Sequence, residues 1–409
     1  MSAAGELPRK PRLLVLASTY PRWAGDPEPG FVHELSKRLV DQFEVSVLCP
    51  HAPGATPRET MNGVEVIRYR YAPTRLQTLV NDGGIITNLR RQPWKWLLVP
   101  GFLLSMAWST WQTLRRERQD VIHAHWLLPQ GLIAALLRSE RCMPPFLVTS
   151  HGADLFALKA RPLQSAKRFV ALRAAAITVV SAPMRDELAR IGVDTRKITL
   201  QSMGVDLTTR FTPDASIERS HDEILFVGRL VEKKGLRHLI DAMPAIVQAR
   251  PSSYLTIVGF GPEEEACRAQ VQRLGLQGKV HFTGAMQQAQ LPALYRRAAV
   301  FVAPFVQAAS GDQEGLGLVA VEAAGCGCPV VVSELPVVRQ VFPDATLAFF
   351  VPPADPAALA ARILTVLDSP KAAAACAAAA RMAVVPRFDW TVVARGYTEV
   401  LLASLRTVP

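Results

Sequence analysis

The chain has 409 residues, of which 49% are hydrophobic and 20% charged, and it carries a formal net charge of +11. That length exceeds one ordinary core, so two domains are expected, and the composition is that of a globular α/β protein rather than a disordered or fibrous one. The charge is uneven: residues 1–220 hold 29 Lys and Arg against 19 Asp and Glu, whereas residues 221–409 hold 17 against 16, so the basic field belongs to the first half.

Such a field attracts phosphates, nucleic acid or an anionic membrane surface; a plain solvated basic surface is the alternative. The six cysteines (Cys49, Cys142, Cys267, Cys326, Cys328, Cys376) are widely spread and form no CxxC pair with a matching His or Cys cluster. Neither a disulfide framework nor a zinc site is suggested, and a reducing cytoplasm fits. Residues 1–10 are polar and lack the apolar run of a secretory signal, so a cytoplasmic location is expected. The stretch 96–111 is interrupted by Pro100-Gly101, Ser105, Ser109 and Thr110, and falls short of the roughly 20 apolar residues a spanning helix needs.

In chain order, short apolar runs alternate with helical-period segments twice over, the pattern of parallel sheets built from βαβ units. The first series of strands is expected at 12–18, 43–50, 64–71, 121–126, 146–151 and 176–181. A second is expected at 223–230, 254–260, 280–284, 300–305, 329–333 and 347–351. The polar segment 208–222, with Pro213 and no long apolar run, reads as a linker. The predicted organisation is a Rossmann-like first domain over 1–207, a linker over 208–222 and a Rossmann-like second domain over 223–387. The Ala-rich run 372–380 has high helix propensity. A final amphipathic segment, 390–405, is expected to cross back to the first domain. Two α/β domains joined this way face each other across a cleft at the carboxyl ends of their strands, where open α/β sheets bind ligands.

Four segments carry chemistry. The densest runs from Ser310 through Glu314-Gly315-Leu316-Gly317 to Glu322 and Val331. It reads as a loop, a glycine-rich helix start, a short helix and a buried strand. Gly315 and Gly317 let a ligand approach the backbone, and the first-turn N–H groups make that terminus an anion site suited to a diphosphate. Glu314 and Glu322 are expected about two turns apart, roughly 12 Å along the axis, which suits a sugar at one end and a ribose at the other. A helix-capping Glu314 and a surface Glu322 are the bland reading.

The second segment is Val227-Gly228-Arg229-Leu230-Val231-Glu232-Lys233-Lys234-Gly235. A strand end followed by a turn brings Arg229 and Lys234 to the cleft mouth, where fixed cations would stabilise charge developing on a departing diphosphate. The third is Ser150-His151-Gly152, a His beside a glycine turn at a sheet's carboxyl edge, placed to contact a substrate hydroxyl and able to be neutral or charged near pH 7. The fourth, Gly259-Phe260-Gly261-Pro262, ends a strand and opens a helix. It is shorter than a dinucleotide fingerprint, and no GxGxxG or GxxxxGK[ST] follows the first strand, so nicotinamide and ATP chemistry lose ground. His123 and His125 share one face of the preceding strand with no carboxylate neighbour to suggest a metal.

Taken together these motifs resemble those of glycosyltransferase family 4 (glycosyl transferases group 1), retaining enzymes of the GT-B fold, over nearly the whole chain. The most specific element is Glu314 to Glu322 followed by the Ala-Gly-Cys-Gly-Cys-Pro-Val-Val run. The resemblance implies that Glu314 contacts the donor sugar, Glu322 the ribose, and Arg229 and Lys234 the diphosphate. It also implies that His151 lies near the transferred sugar and Gly259, Gly261 and Pro262 near the nucleotide, with Gly30 standing alone where the family's first loop carries paired glycines. The family's frequent Asn-Gly-Val-Asp reads Met203-Gly204-Val205-Asp206 here, and 307–313 is inserted before Glu314. The implied reaction is a metal-independent transfer with retention, using a UDP- or GDP-linked hexose as co-substrate, no other cofactor and no protein nucleophile.

For the acceptor, four of the seven tryptophans fall within 18 residues of the stretch Arg90-Arg91-Gln92-Pro93-Trp94-Lys95-Trp96 to Trp111, followed by Arg115-Arg116. Trp beside Lys and Arg on an apolar segment suits an interfacial membrane helix. The expectation is a peripheral enzyme acting on a lipid-linked or membrane-associated saccharide, with no nucleic-acid partner; a buried helix packed on the sheet is the alternative. A nucleotide-sugar epimerase of the same fold and a non-catalytic sugar-nucleotide-binding subunit are the competing functions.

Overall fold

A computed structural model describes residues 9–26, 30–81, 84–138, 143–156 and 160–406. Cys142, the first eight residues and the last three fall outside them. The remaining five cysteines are free thiols, four of them buried.

The chain builds two sheets. The first comprises β1 (Arg12–Leu16), β2 (Glu44–Pro50), β3 (Arg58–Met61), β4 (Val64–Tyr69), β5 (Val121–His125), β6 (Phe146–Ser150), β7 (Ala176–Val179) and β8 (Ile198–Leu200), in the order β3-β4-β2-β1-β5-β6-β7-β8. Only β3 runs antiparallel, paired with β4 through the Asn62-Gly63 turn. The second comprises β9 (Glu223–Val227), β10 (Tyr254–Val258), β11 (Val280–Gly284), β12 (Val300–Ala303), β13 (Val330–Ser333) and β14 (Phe349–Val351), all parallel, in the order β11-β10-β9-β12-β13-β14. Val-, Leu- and Ile-rich strands such as β5, β6 and β9 are buried along their whole length, because helices cover both faces of a parallel sheet.

Each sheet reverses its winding direction beside its first strand. β1 lies between β2 and β5, and β9 lies between β10 and β12. A crevice opens at such switch points beyond the carboxyl ends of the strands, so the loops after β1, β5, β9 and β12 are the ones aimed at a ligand.

Two crossings join the halves. Residues 203–211 lead out of the first domain, and Asp389 leads back. Val205 and Asp389 form a parallel bridge, with Val205 N–H donating to Phe388 O and Trp390 N–H to Val205 O. One Asp389 carboxylate accepts from Leu207 N–H, Thr208 Oγ1, Thr391 N–H and Thr391 Oγ1, so it caps the last helix and clamps the outgoing crossing together. The helix Trp390–Leu405 then lies on the first domain. Tyr397 reaches His123 and Arg38 stacks over Trp390. The preceding helix, Pro370–Phe388, runs through Pro386 and ends at Asp389. One hydrophobic cluster extends from β1 and β5 through this region to β12 and β13. No single helix among the described residues is long and apolar enough to cross a membrane.

Candidate functional site

The loops after β9 and β12 bring Lys234 and Glu314 together, and Arg229 stands on the same β9 turn. After β9 the chain turns through Gly228-Arg229-Leu230 and a single 3-10 turn, Glu232–Lys234, closed by Gly235 at φ 67°. A Cβ on Gly235 would stand 1.8 Å from Pro304 O, so glycine is required there, and the tight turn aims Lys234 at the neighbouring loop. Lys234 Nζ lies 2.8 Å from Glu314 Oε2 and over the Phe305 ring. Lys233 pairs with Asp312 at 3.2 Å, and Glu232 accepts from Ala309 N–H, so the segment 307–313 is fastened to the turn it faces.

Burial alone would raise the Glu314 carboxyl. The charges of Lys234 and Lys233, with hydrogen bonds from Lys234 and from Gly315 N–H, override it and bring the pKa down to about 2. Glu314 is therefore ionised at every physiological pH.

Glu322 is the opposite case. It sits inside the helix Leu318–Gly325, buried, with Tyr295 Oη donating to its Oε2 at 3.0 Å. Desolvation pushes its pKa up to about 7 against the hydrogen bonds from Tyr295 and Gln288. A crevice between the domains opens beside it, lined by Phe31, Glu34, Asp206, Arg210, Gln288 and Leu318. The expected two helical turns between the carboxylates do not exist. The helix starts only at Leu318, because Gly317, at φ 84° against the Phe305 ring, breaks the backbone before it. Glu314 stands on the loop ahead of that start, with Gly315 and the buried Leu316 between.

Across the cleft stands His151, following β6. Gly152 (φ 106°) and Gly315 face one another: a Cβ on Gly315 would lie 3.0 Å from His151 O, and one on Gly152 3.6 Å from Gly315 Cα. Two bare glycines thus let the first-domain loop touch the loop of Glu314. The His151 ring is packed by Phe31, Trp126 and His125, and burial pushes its pKa down to about 3, so the charged form entertained from sequence is not populated at neutral pH. Arg229 spans the cleft as well, its Nη2 donating to Thr87 Oγ1 at 3.0 Å on the first-domain helix Ile85–Arg91.

The remaining predicted residues take other places. Gly259, at φ 132°, would carry its Cβ 2.0 Å from Gly228 O, and Gly261 2.3 Å from Leu230 O. These glycines are explained by the close packing of the β10 turn on the β9 turn, sealed by Leu230 N–H to Phe260 O, and they seat Arg229; Pro262 is exposed beside them. Gly30 precedes the helix Phe31–Leu39, and a Cβ there would meet only Pro21 Cγ at 3.7 Å, leaving its front open. Among the described residues, no group of three or more His, Cys, Asp or Glu is gathered as metal ligands. Sequence reasoning missed Thr87, Phe31, Tyr295 and Gln288. Each reaches the site from a helix or loop distant in the chain, and no local pattern marks them.

In the first domain, the segment 93–116 forms a 3-10 turn, Pro93–Leu97, and the helix Leu98–Arg116. Leu98, Phe102, Met106 and Thr110 face the sheet, while Trp94, Trp96, Leu97, Leu104 and Trp108 are exposed. Arg115 stacks on Trp111, itself stacked on Trp108. Lys95, counted among the basic residues of this stretch, points inward: its Nζ donates to Thr78 O and Asn88 Oδ1, and it is 5% exposed.

Comparison with known proteins agrees with this arrangement. Residues 31–209 match the family described as Glycosyltransferase Family 4, and residues 211–383 match Glycosyl transferases group 1. The chain is 28% identical over 415 residues to a glycogen synthase of Mycobacterium tuberculosis, covering 97% of this chain and 95% of that protein. It is 31% identical over 284 residues to the phosphatidyl-myo-inositol mannosyltransferase of the same organism, covering 67% of this chain and 71% of that protein. HepE of Anabaena, solved in complex with UDP-glucose, shares the fold at a TM-score of 0.73 and 18% identity, over 96% of this chain and 99% of that one. The two facing parallel-sheet domains are the GT-B fold, and the chain belongs to the family 4, group 1 glycosyltransferases.

Proposed function

We propose that the protein is a retaining, metal-independent hexosyltransferase that takes a hexose from a UDP- or GDP-linked donor. In this reading it delivers the sugar to a hydroxyl of a lipid-linked or membrane-associated saccharide, at the cytoplasmic face of the envelope. The observation that carries the reading is the Lys234–Glu314 pair at the second sheet's switch point, with Arg229 on the same turn as Lys234 and His151 and Gly152 facing Gly315 from the other side. HepE, which shares the fold, binds UDP-glucose, and the relatives include a mannosyltransferase.

The chemistry follows from the charges. As the bond between the anomeric carbon and the diphosphate breaks, its electron pair goes to the phosphate oxygen. Arg229, Lys234 and the first N–H groups of the helix Leu318–Gly325 stabilise that charge where it develops. The acceptor hydroxyl approaches the same face, gives its proton to a leaving phosphate oxygen and forms the new glycosidic bond, so configuration is retained and a nucleoside diphosphate departs. Glu314, fixed as a carboxylate, accepts hydrogen bonds from sugar hydroxyls, and Glu322 accepts from the ribose. The neutral His151 keeps positive charge away from a sugar that is itself becoming cationic.

The test is nucleotide release from a panel of UDP-, GDP- and ADP-sugars, with and without lipid-linked acceptors, for the wild type and Glu314→Ala. One donor should be turned over in an acceptor-dependent way, and Glu314→Ala should lose about 100-fold or more in kcat. Turnover that ignores the acceptor would favour an epimerase, no turnover a binding subunit, and unchanged transfer by Glu314→Ala would remove the assignment of that residue.

A further inference from the structure

Behind His151 lies a ladder of imidazoles that the proposed chemistry does not use. His123 and His125 on β5 lie with ring centroids 4.2 Å apart, tilted by 34°, and His125 and His151 stack nearly parallel at 5.2 Å. Burial pushes all three downward, His123 and His151 to about 3, so each ring is neutral at physiological pH and carries one N–H and one bare nitrogen. His125 Nδ1 and His151 Nε2 are 3.0 Å apart, so one of those two nitrogens holds the shared proton.

What lies on the far side of His125 decides which. Its Nε2 is buried and has no partner among the described residues. A buried N–H without an acceptor is more costly than a bare ring nitrogen without a donor. The bare position is therefore Nε2, and the proton is on Nδ1, pointing at His151. The same reasoning runs through His123. Its Nδ1 is the orphan, so Nε2–H donates to Thr149 Oγ1 at 2.7 Å, and Thr149 continues to Thr178 Oγ1 at 2.6 Å. Both histidines of β5 thus turn a bare nitrogen to the apolar interior and an N–H to a neighbour.

We propose that His125 is a positioning residue: it donates from Nδ1 to Nε2 of His151 and thereby holds His151 as the tautomer that carries its proton on Nδ1. His151 then keeps its hydrogen-bond donor on Nδ1, the ring nitrogen that does not face His125, and its ring is fixed between His125, Phe31 and Trp126. This rests on the reading that His151 stands beside the transferred sugar, where a donor rather than an acceptor sets which way a sugar hydroxyl points.

The test uses the full chain labelled with ¹⁵N-histidine, alongside His125→Phe, which keeps a stacked ring without a donor, and His125→Asn, whose amide nitrogen replaces Nδ1. In the wild type at pH 7, His151 should show a protonated-type Nδ1 and a bare Nε2, and in His125→Phe this preference should be lost. With the donor found by the nucleotide panel, His125→Phe should lower kcat about tenfold while KM for the donor stays within about twofold, and His125→Asn should recover most of it. Wild-type His151 protonated on Nε2, or full kcat in His125→Phe, would overturn the proposal. If His125→Phe fails to fold, the wild-type tautomer and the Asn variant still decide. If the wild type turns over no sugar nucleotide, the functional reading fails while the tautomer measurement still judges His125.

Discussion

Glu314 and Glu322 lie eight positions apart, and their surroundings shift the two carboxyls in opposite directions, Glu314 down to about 2 and Glu322 up to about 7. Two lysines hold Glu314 ionised; around Glu322 the hydrogen bonds offset only part of the desolvation. The difference predicts a pH signature for stability. Glu322 moves from 4.5 unfolded to about 7 folded. Its favourable contribution is therefore full below about pH 4.5 and is lost as pH rises through 7. Glu322→Gln keeps an oxygen for Tyr295 but no charge. In urea unfolding it should match the wild type near pH 4 and exceed it by up to about 3 kcal/mol at pH 8. A stability difference that does not vary with pH would place the Glu322 pKa near its ordinary value. For Glu314 the sign reverses, and its contribution is lost only as pH falls below 4.5 toward 2.

At the scale of elements, the turns after β9 and β10 behave as one piece. Gly259 is pressed on Gly228 O, Gly261 on Leu230 O, and between them stands Arg229. Gly259→Ala combines a positive φ with a backbone clash at 2.0 Å, so the turns must separate. It should destabilise the chain by at least about 2–3 kcal/mol in urea unfolding and lower donor turnover together with it. A wild-type unfolding midpoint would show that the turns can part without strain. These turns were legible in sequence as glycine motifs at strand ends, and so were the twelve apolar strands. The strand β3 was not, because Arg58-Glu59-Thr60-Met61 has no apolar face: it is an exposed edge held by β4. A signal existed even so, since Asn62-Gly63, both at positive φ, is a hairpin turn sequence. The edge strand β8 is only three residues long. Partners such as Thr87 for Arg229 or Tyr295 for Glu322 leave no trace in local pattern, because they are brought in by tertiary folding alone.

At the scale of the molecule, the two domains share a cleft but divide the charge. The first carries the basic excess and, on the helix Leu98–Arg116 and the turn before it, an exposed row of Trp94, Trp96, Leu97, Leu104 and Trp108, flanked by the exposed Arg90, Arg91, Arg115 and Arg116. The inner face of the same helix is packed on the sheet through Leu98, Phe102, Met106 and Thr110, and its outer face stays exposed. Aromatic rings beside arginines suit the headgroup level of an anionic bilayer. Sedimentation with vesicles containing anionic lipid should show binding that weakens with salt and falls at least about tenfold when Arg90, Arg91, Trp94 and Trp96 are changed to Ala. Equal binding by both proteins would remove the membrane from the proposal.

The paired crossings at Val205 and Asp389 bear on how the molecule is made. The helix Trp390–Leu405 covers first-domain surface around β5 and β6, with Tyr397 against His123, yet in the chain it follows the whole of the second domain. The first domain therefore waits, with that surface uncovered, until the second has been synthesised. Cutting the gene at the linker would not yield two independent halves: the first would lack its own final helix, and the second would carry an apolar helix with nothing to cover it.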